Sequence, residues 1–111
     1  NGEMETVTLA DGSTVYLNAG SKLSVFESFN EENRLLNLEG EAYFEVTKNR
    51  KLPFVIQTGD VTTQVTGTAF NLKSYNESNQ VILTVTEGSV DFKSENQVVS
   101  VNANVAAVFG P

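Results

Sequence analysis

Histidine, cysteine and tryptophan are all absent from these 111 residues, and each absence removes a class of chemistry. Without histidine there is no Ser-His-Asp or Cys-His catalysis and no imidazole-ligated metal. Without cysteine there is no disulfide, no thiolate nucleophile and no thiolate metal centre, and oxidising and reducing compartments are equally compatible. Without tryptophan the best sugar-stacking side chain is missing. An enzyme built on this chain would have to work with carboxylates, lysine, tyrosine or hydroxyls alone. Cations are scarce as well: 7 Lys+Arg face 14 Asp+Glu, a net charge of −7. That balance argues against a phosphate-neutralising surface, and so against nucleic acid as a partner. No apolar run approaches the roughly 20 residues that cross a bilayer. No signal peptide opens the chain, which is expected of a cytosolic protein or of a domain cut from something longer; "NGEMETVTLADGS" enters a strand pattern at once, as a cut domain would.

What is present is globular. Apolar residues make up 40% of the chain and charged residues 19%, enough for one hydrophobic core, and 1–111 reads as a single domain. The dominant period is two. Val7 and Leu9 alternate before an Asp-Gly turn at 11–12; Val15, Leu17 and Ala19, then Leu23 and Val25, resume the pattern. From 36 to 46 the alternation is clean. Leu36, Leu38, Gly40, Ala42, Phe44 and Val46 share one face; Glu39, Glu41, Tyr43 and Glu45 share the other. That strand is expected to be central, since an exposed edge of such length invites pairing with other chains.

Further on, Val61, Val65, Gly67 and Ala69 have one parity, Phe70 and Leu72 the other, so the pattern slips by one between 69 and 70. Such a slip marks a β-bulge or a sheet corner, and Gly67 just before it leaves room for a kink or a close neighbour. Val81, Leu83 and Val85, Val90 and Phe92, and the alternation from Val99 to Phe109 complete the set. Gly40, Gly67 and Gly88 each precede a small or branched residue and then an aromatic, an uneven echo of similar strand-turn units. No segment carries a helical period. The expected fold is all-β: a two-sheet sandwich or β-roll of about ten short, mostly antiparallel strands with some solenoid-like character.

Candidate sites are few. Glu39, Glu41 and Glu45 alternate on one strand face, about 6.5–7 Å apart, a spacing that carboxylate pairs use in glycoside hydrolysis. Such pairs need a cleft that raises one pKa, so a solvated face is the better reading and a partner surface the next. Lys48, Arg50 and Lys51 form a basic loop in an acidic chain; a solvated loop is the better reading, and a grip on an anionic ligand or acidic partner the other. Asp11 and Asp60 lie in turns that their side chains cap. No cluster of oxygen ligands suits calcium, and no cofactor motif is present. "NES" at 76–78 fits the glycosylation sequon, which matters only in a eukaryotic secretory pathway. Tyr16, Tyr43 and Tyr75 are the rings on which a carbohydrate- or ligand-binding module would rely.

Gly67–Thr68 offers a different chemistry. A threonine hydroxyl can attack the carbonyl carbon of the residue before it; the C–N bond breaks, an ester forms and the amine is freed. Water then hydrolyses the ester and the chain is cut. The reaction needs a peptide bond held near attack geometry. On residue type alone a structural role in the bend is the better reading.

Taken together, "TLADGSTVYLNAGSKL", "RLLNLEGEAYFEVTKN", "PFVIQTGDVTTQVTGTAFNLKSY" and "VTEGSV" resemble the FecR family of bacterial anti-sigma-type regulators, from about Thr6 to Val108. The ordered series D-G-S-x-V-x-L-N, L-x-G-E-A-x-F-x-V, V-x-G-T-x-F-N and E-G-x-V carries the resemblance, and its detail points to the Bacteroidetes branch. It implies a periplasmic β domain of a single-pass inner-membrane protein, non-enzymatic and without cofactors. Its partners would be proteins. The signalling domain of a TonB-dependent outer-membrane transducer would deliver the signal, and an extracytoplasmic-function sigma factor would be held by a cytoplasmic segment absent here. Contact with the membrane would run through an absent helix. Relatives that continue into a small C-terminal domain leave open which part touches the transducer. Some family members cleave themselves at this Gly-Thr bond, which implies Thr68 as nucleophile and Gly67 as the attacked carbonyl.

Overall fold

Period-two alternation becomes eleven β-strands in the computed structural model, which describes residues 4–25, 34–48, 52–58, 61–65, 67–75, 80–94, 97–102 and 105–109. They are β1 Glu5–Thr8, β2 Thr14–Leu17, β3 Lys22–Val25, β4 Arg34–Glu45, β5 Phe54–Thr58, β6 Val61–Val65, β7 Ala69–Tyr75, β8 Gln80–Glu87, β9 Ser89–Ser94, β10 Gln97–Asn102 and β11 Val105–Phe109. No helix occurs among the described residues. Hydrogen bonding follows the order β10-β9-β6-β5-β4-β7-β8-β11, with β1, β2 and β3 branching from β4.

The long strand β4 is the hinge of this arrangement. Its first half, Arg34 to Glu39, pairs with β3 and, in parallel, with β5. Its second half, Gly40 to Glu45, pairs with β2 and β7. The expected two sheets therefore exist but are continuous through one strand. One comprises β1, β2, β7, β8 and β11; the other β3, β5, β6, β9 and β10. Both halves bury the same row of β4 side chains, in strict alternation. The strand thus folds the ladder over its own inner face. Phe44 stacks on Phe70 in its own sheet at 5.0 Å and meets Phe54 of the other sheet edge-on at 6.0 Å. These rings, with Leu36, Leu38, Ile56, Leu72, Leu83 and Val85, form the core.

Gly40 sits where β4 changes sheets, with a φ of +104° that a side chain rarely adopts. A Cβ there would lie 2.9 Å from Ser21 Cα, so the glycine admits the chain crossing from β2 to β3. The other two glycines of the echo also mark crossings: Gly67 between β6 and β7, Gly88 between β8 and β9. The echo in the sequence is thus a repeated passage between sheets, and this is the solenoid-like element of the fold. After β4 the chain returns to start β5 beside Arg34, completing one coil.

Central placement of the 36–46 strand holds, and the pairing irregularity falls between Ala69 and Phe70 as the slip indicates. Two details differ. Ala69 is not on the core row, because burial switches parity at the sheet crossing around Gly67, where Val65 and Thr68 are both buried. Val25 is 45% exposed, because β3 pairs only with β4 and forms an edge. Phe29, Asp60 and the sequon at 76–78 lie outside the described residues.

Candidate functional site

Gly67 is required by crowding rather than by backbone conformation. Its φ lies outside the left-handed region, but a Cβ would sit 2.7 Å from the Cα of Lys48 and 2.8 Å from its Cβ. The segment leaving β4, residues 46–48, therefore lies directly against the Gly67–Thr68 peptide like a strap. It is fastened there by the Val46 amide, which donates to the Thr68 carbonyl at 2.9 Å. Thr68 is 7% exposed, and its methyl packs where a Cβ on Gly88 would have to sit. Its Oγ1 is buried and has no hydrogen-bond partner among the described residues. So the would-be nucleophile is next to the bond it would attack, free of competing acceptors, but shut off from solvent. Over this junction opens a groove of about 490 Å³, lined by Thr14, Glu45, Lys48, Gly67, Thr68 and Glu87 among others.

Behind the strap is a buried ion pair. Arg34 takes the first position of the β4 core row, and its side chain is fully buried. Its Nη1 donates to Asp11 Oδ2 at 2.9 Å and to the Thr47 carbonyl at 2.8 Å, and its Nε donates to the Leu52 carbonyl. The guanidinium lies over the Phe54 ring at 5.4 Å. Asp11 in turn accepts from the Ser13 amide at 2.9 Å and the Ser13 hydroxyl at 2.7 Å. The Thr47 amide donates to Ser13 Oγ at 3.0 Å. Burial pushes the Asp11 carboxyl upward, but the Ser13 bonds and the Arg34 cation outweigh it and hold the group below its ordinary 3.8. Asp11 caps its turn as expected. Its larger role, anchoring Arg34 and through it the strap, is not visible locally.

Outward from the groove runs the solvent face of the β2–β4–β7–β8 sheet. Tyr16 and Tyr43 are cross-strand partners with ring centroids 6.1 Å apart. The Tyr16 hydroxyl donates to Glu45 Oε1 at 2.9 Å, and that bond and charge raise the phenol above its usual range. Tyr43 Oη and Thr86 Oγ1 are 2.9 Å apart. Glu41 is held between two amides, Asn18 at 3.1 Å and Asn71 at 2.9 Å. The structure thus gathers Glu41, Tyr43 and Glu45 on one face and brings Glu45, Lys48, Gly67 and Thr68 to one groove. Glu39 is separated from them, beside Lys22 on the other half of β4. Arg50 and Lys51 lie outside the described residues, as does the side chain of Tyr75. Asn18, Asn71, Arg34 and Glu87 were not read as site residues. Only the strand register, which brings positions 23 to 30 residues apart together, reveals the first three of them. No group of three or more Asp and Glu among the described residues is placed to hold a metal ion.

The all-β fold is shared with a candidate anti-sigma factor from Parabacteroides distasonis ATCC 8503. Its crystal structures at 1.65 Å and 2.50 Å match this chain with TM-scores of 0.92 and 0.93 at 33% identity. Each match covers 98% of this chain and 51% of the other, so the chain spans about half the length of those structures. The family model described as FecR protein matches residues 1–91, and the chain belongs to the FecR family. This is a family of regulators whose domains are typically periplasmic parts of membrane proteins. No curated protein matches the chain.

Proposed function

We propose that this domain is the periplasmic part of an anti-sigma regulator. It acts through protein contacts, relaying a signal from a TonB-dependent outer-membrane transducer to an extracytoplasmic-function sigma factor held by another segment of the protein. The observation that carries this reading is the match of 98% of the chain, at 33% identity, to a candidate anti-sigma factor. The polar face supports it: carboxylates and phenols already fixed by neighbours lose little side-chain freedom when a partner docks. Calorimetric titration with the signalling domain of the genomically paired transducer tests it. Binding by this domain is expected; failure of both this domain and the full periplasmic region to bind would overturn the relay.

Self-cleavage at Gly67–Thr68 is a second reading, favoured by the unpartnered Thr68 hydroxyl beside the crowded Gly67 peptide. Water must reach the ester to complete it, so the strap at 46–48 has to lift. Mass spectrometry of the purified protein should then find a fragment beginning at Thr68, absent from Thr68→Ala and present in Thr68→Ser. An intact wild-type chain after prolonged incubation counts against it.

A further inference from the structure

We propose that the groove over Gly67–Thr68 is a docking site for an exposed lysine or arginine side chain carried on an extended segment of a protein partner. The inference rests on reading this domain as one that acts through protein contacts, and it names where that contact is made.

Three neighbouring strands build the groove. Glu45 of β4 pairs with Ala69 of β7, and Ala69 pairs with Glu87 of β8. Strand spacing sets the two glutamates about 10 Å apart, with a single methyl between them. The bulge makes this possible: Phe70 pairs with Val85 while Ala69 skips Thr86 to pair with Glu87. An unbroken register would set Thr86 opposite Ala69 and leave one wall without its carboxylate. Gly67 and Thr68 extend the lining, and the strap with Lys48 closes one side.

Charge decides the occupant. Neither Glu45 nor Glu87 is paired with a cation among the described residues. One oxygen of Glu45 is held by the Tyr16 hydroxyl, which fixes the carboxylate, and its other oxygen has no partner among the described residues. Lys48, the cation of the lining, has no carboxylate within ion-pair distance among the described residues, and an acceptor beside the partner's basic residue would suit it. A net charge of −7 steers cationic segments toward the domain. A neutral sugar chain fits less well, because no aromatic ring lines the groove and Tyr16 and Tyr43 lie outside it, tilted 39° to each other.

The test is an NMR amide titration of the intact domain with hexa-arginine at low salt, repeated with Glu87→Gln and Glu39→Gln. The two substitutions change net charge equally, but Glu39 is remote from the groove. Shifts are expected to cluster at Gly12, Glu45, Lys48, Thr68 and Glu87. Glu87→Gln should weaken binding about fivefold and Glu39→Gln less than about twofold. Equal weakening by both, or shifts spread over the sheet of Glu39, would reduce the effect to net charge and overturn the site. Shifts in the groove with maltohexaose but not hexa-arginine would overturn it in favour of a sugar ligand. The transducer's signalling domain supplies a separate arm. If it binds wild type and Glu87→Gln equally, the relay stands and the docking site falls. If hexa-arginine occupies the groove and the signalling domain binds neither this domain nor the full periplasmic region, the site stands and the relay falls.

Discussion

Arg34 and Thr68 are both polar, both buried and both pressed against the strap at residues 46–48, yet the fold treats them oppositely. Arg34 is met by Asp11, by the Thr47 and Leu52 carbonyls and by the Phe54 ring. Thr68 Oγ1 is met by nothing among the described residues, and the same is true of Thr63 Oγ1 at the centre of β6. The energies explain the asymmetry. An unpaired buried charge costs several kcal/mol, more than a marginally stable domain tolerates, whereas an unpaired hydroxyl costs about 1–3 kcal/mol. Buried charge here must be structural; an idle buried hydroxyl can be left over, or left available.

The largest effect should come from breaking the clasp. Arg34→Met keeps much of the volume but leaves Asp11 buried without its cation and two carbonyls without a donor. Urea denaturation should show a loss of about 3–5 kcal/mol, the range for removing one partner of a buried pair. Asp11 adds a pH signature. Its folded pKa lies below the ordinary value of 3.8, so its stabilisation is complete above that value and is lost as pH falls through the lowered one. Asp11→Asn should therefore be less stable at neutral pH, with a shallower decline on acidification. An identical acid limb in both proteins would show that the Ser13 bonds and Arg34 together do not hold Asp11 below its ordinary value.

Next in size is Gly67→Ala. The new methyl would overlap the Lys48 backbone, and the strap cannot yield freely, since Val46 holds the Thr68 carbonyl and Arg34 holds that of Thr47. A loss of about 1–3 kcal/mol in denaturant titration is expected, as for an overpacked core. A neutral substitution would mean that the strap moves easily, which would also favour access of water to Thr68.

Much of this was legible in the residues because it is local. Alternation from Leu36 to Val46 gives a half-buried strand wherever it is placed, and the parity slip near Ala69 signals a bend whichever strands flank it. Arg34 was missed although it has the parity of Leu36 and Leu38, because a charge at a core position is readable only once its partner is known. That partner is 23 residues away. The groove was missed for the same reason. Glu87 follows Thr86 in a sequence with no sign that the bulge will skip one of them. The sequence leaves a kink and a close neighbour both open at Gly67; the structure shows the neighbour, and which one is a matter of topology: the parallel return of the chain to β5 brings Lys48 there.

The smallest effect separates the two idle hydroxyls. Thr63→Val exchanges an unpartnered hydroxyl for a methyl of nearly the same shape at a position fully closed to solvent, and should stabilise by about 1 kcal/mol. Thermal unfolding should register it as a rise in Tm. Thr68→Val makes the same exchange beside the groove, and with Oγ1 as closed as it is here the sign should be the same. If it is, threonine at 68 is less stable than the alternative, and its hydroxyl is either left over, as at 63, or left available for cleavage. If Thr68→Val is instead destabilising, water entering from the groove serves Oγ1. The closed nucleophile would then already be in contact with the one reagent that its ester needs.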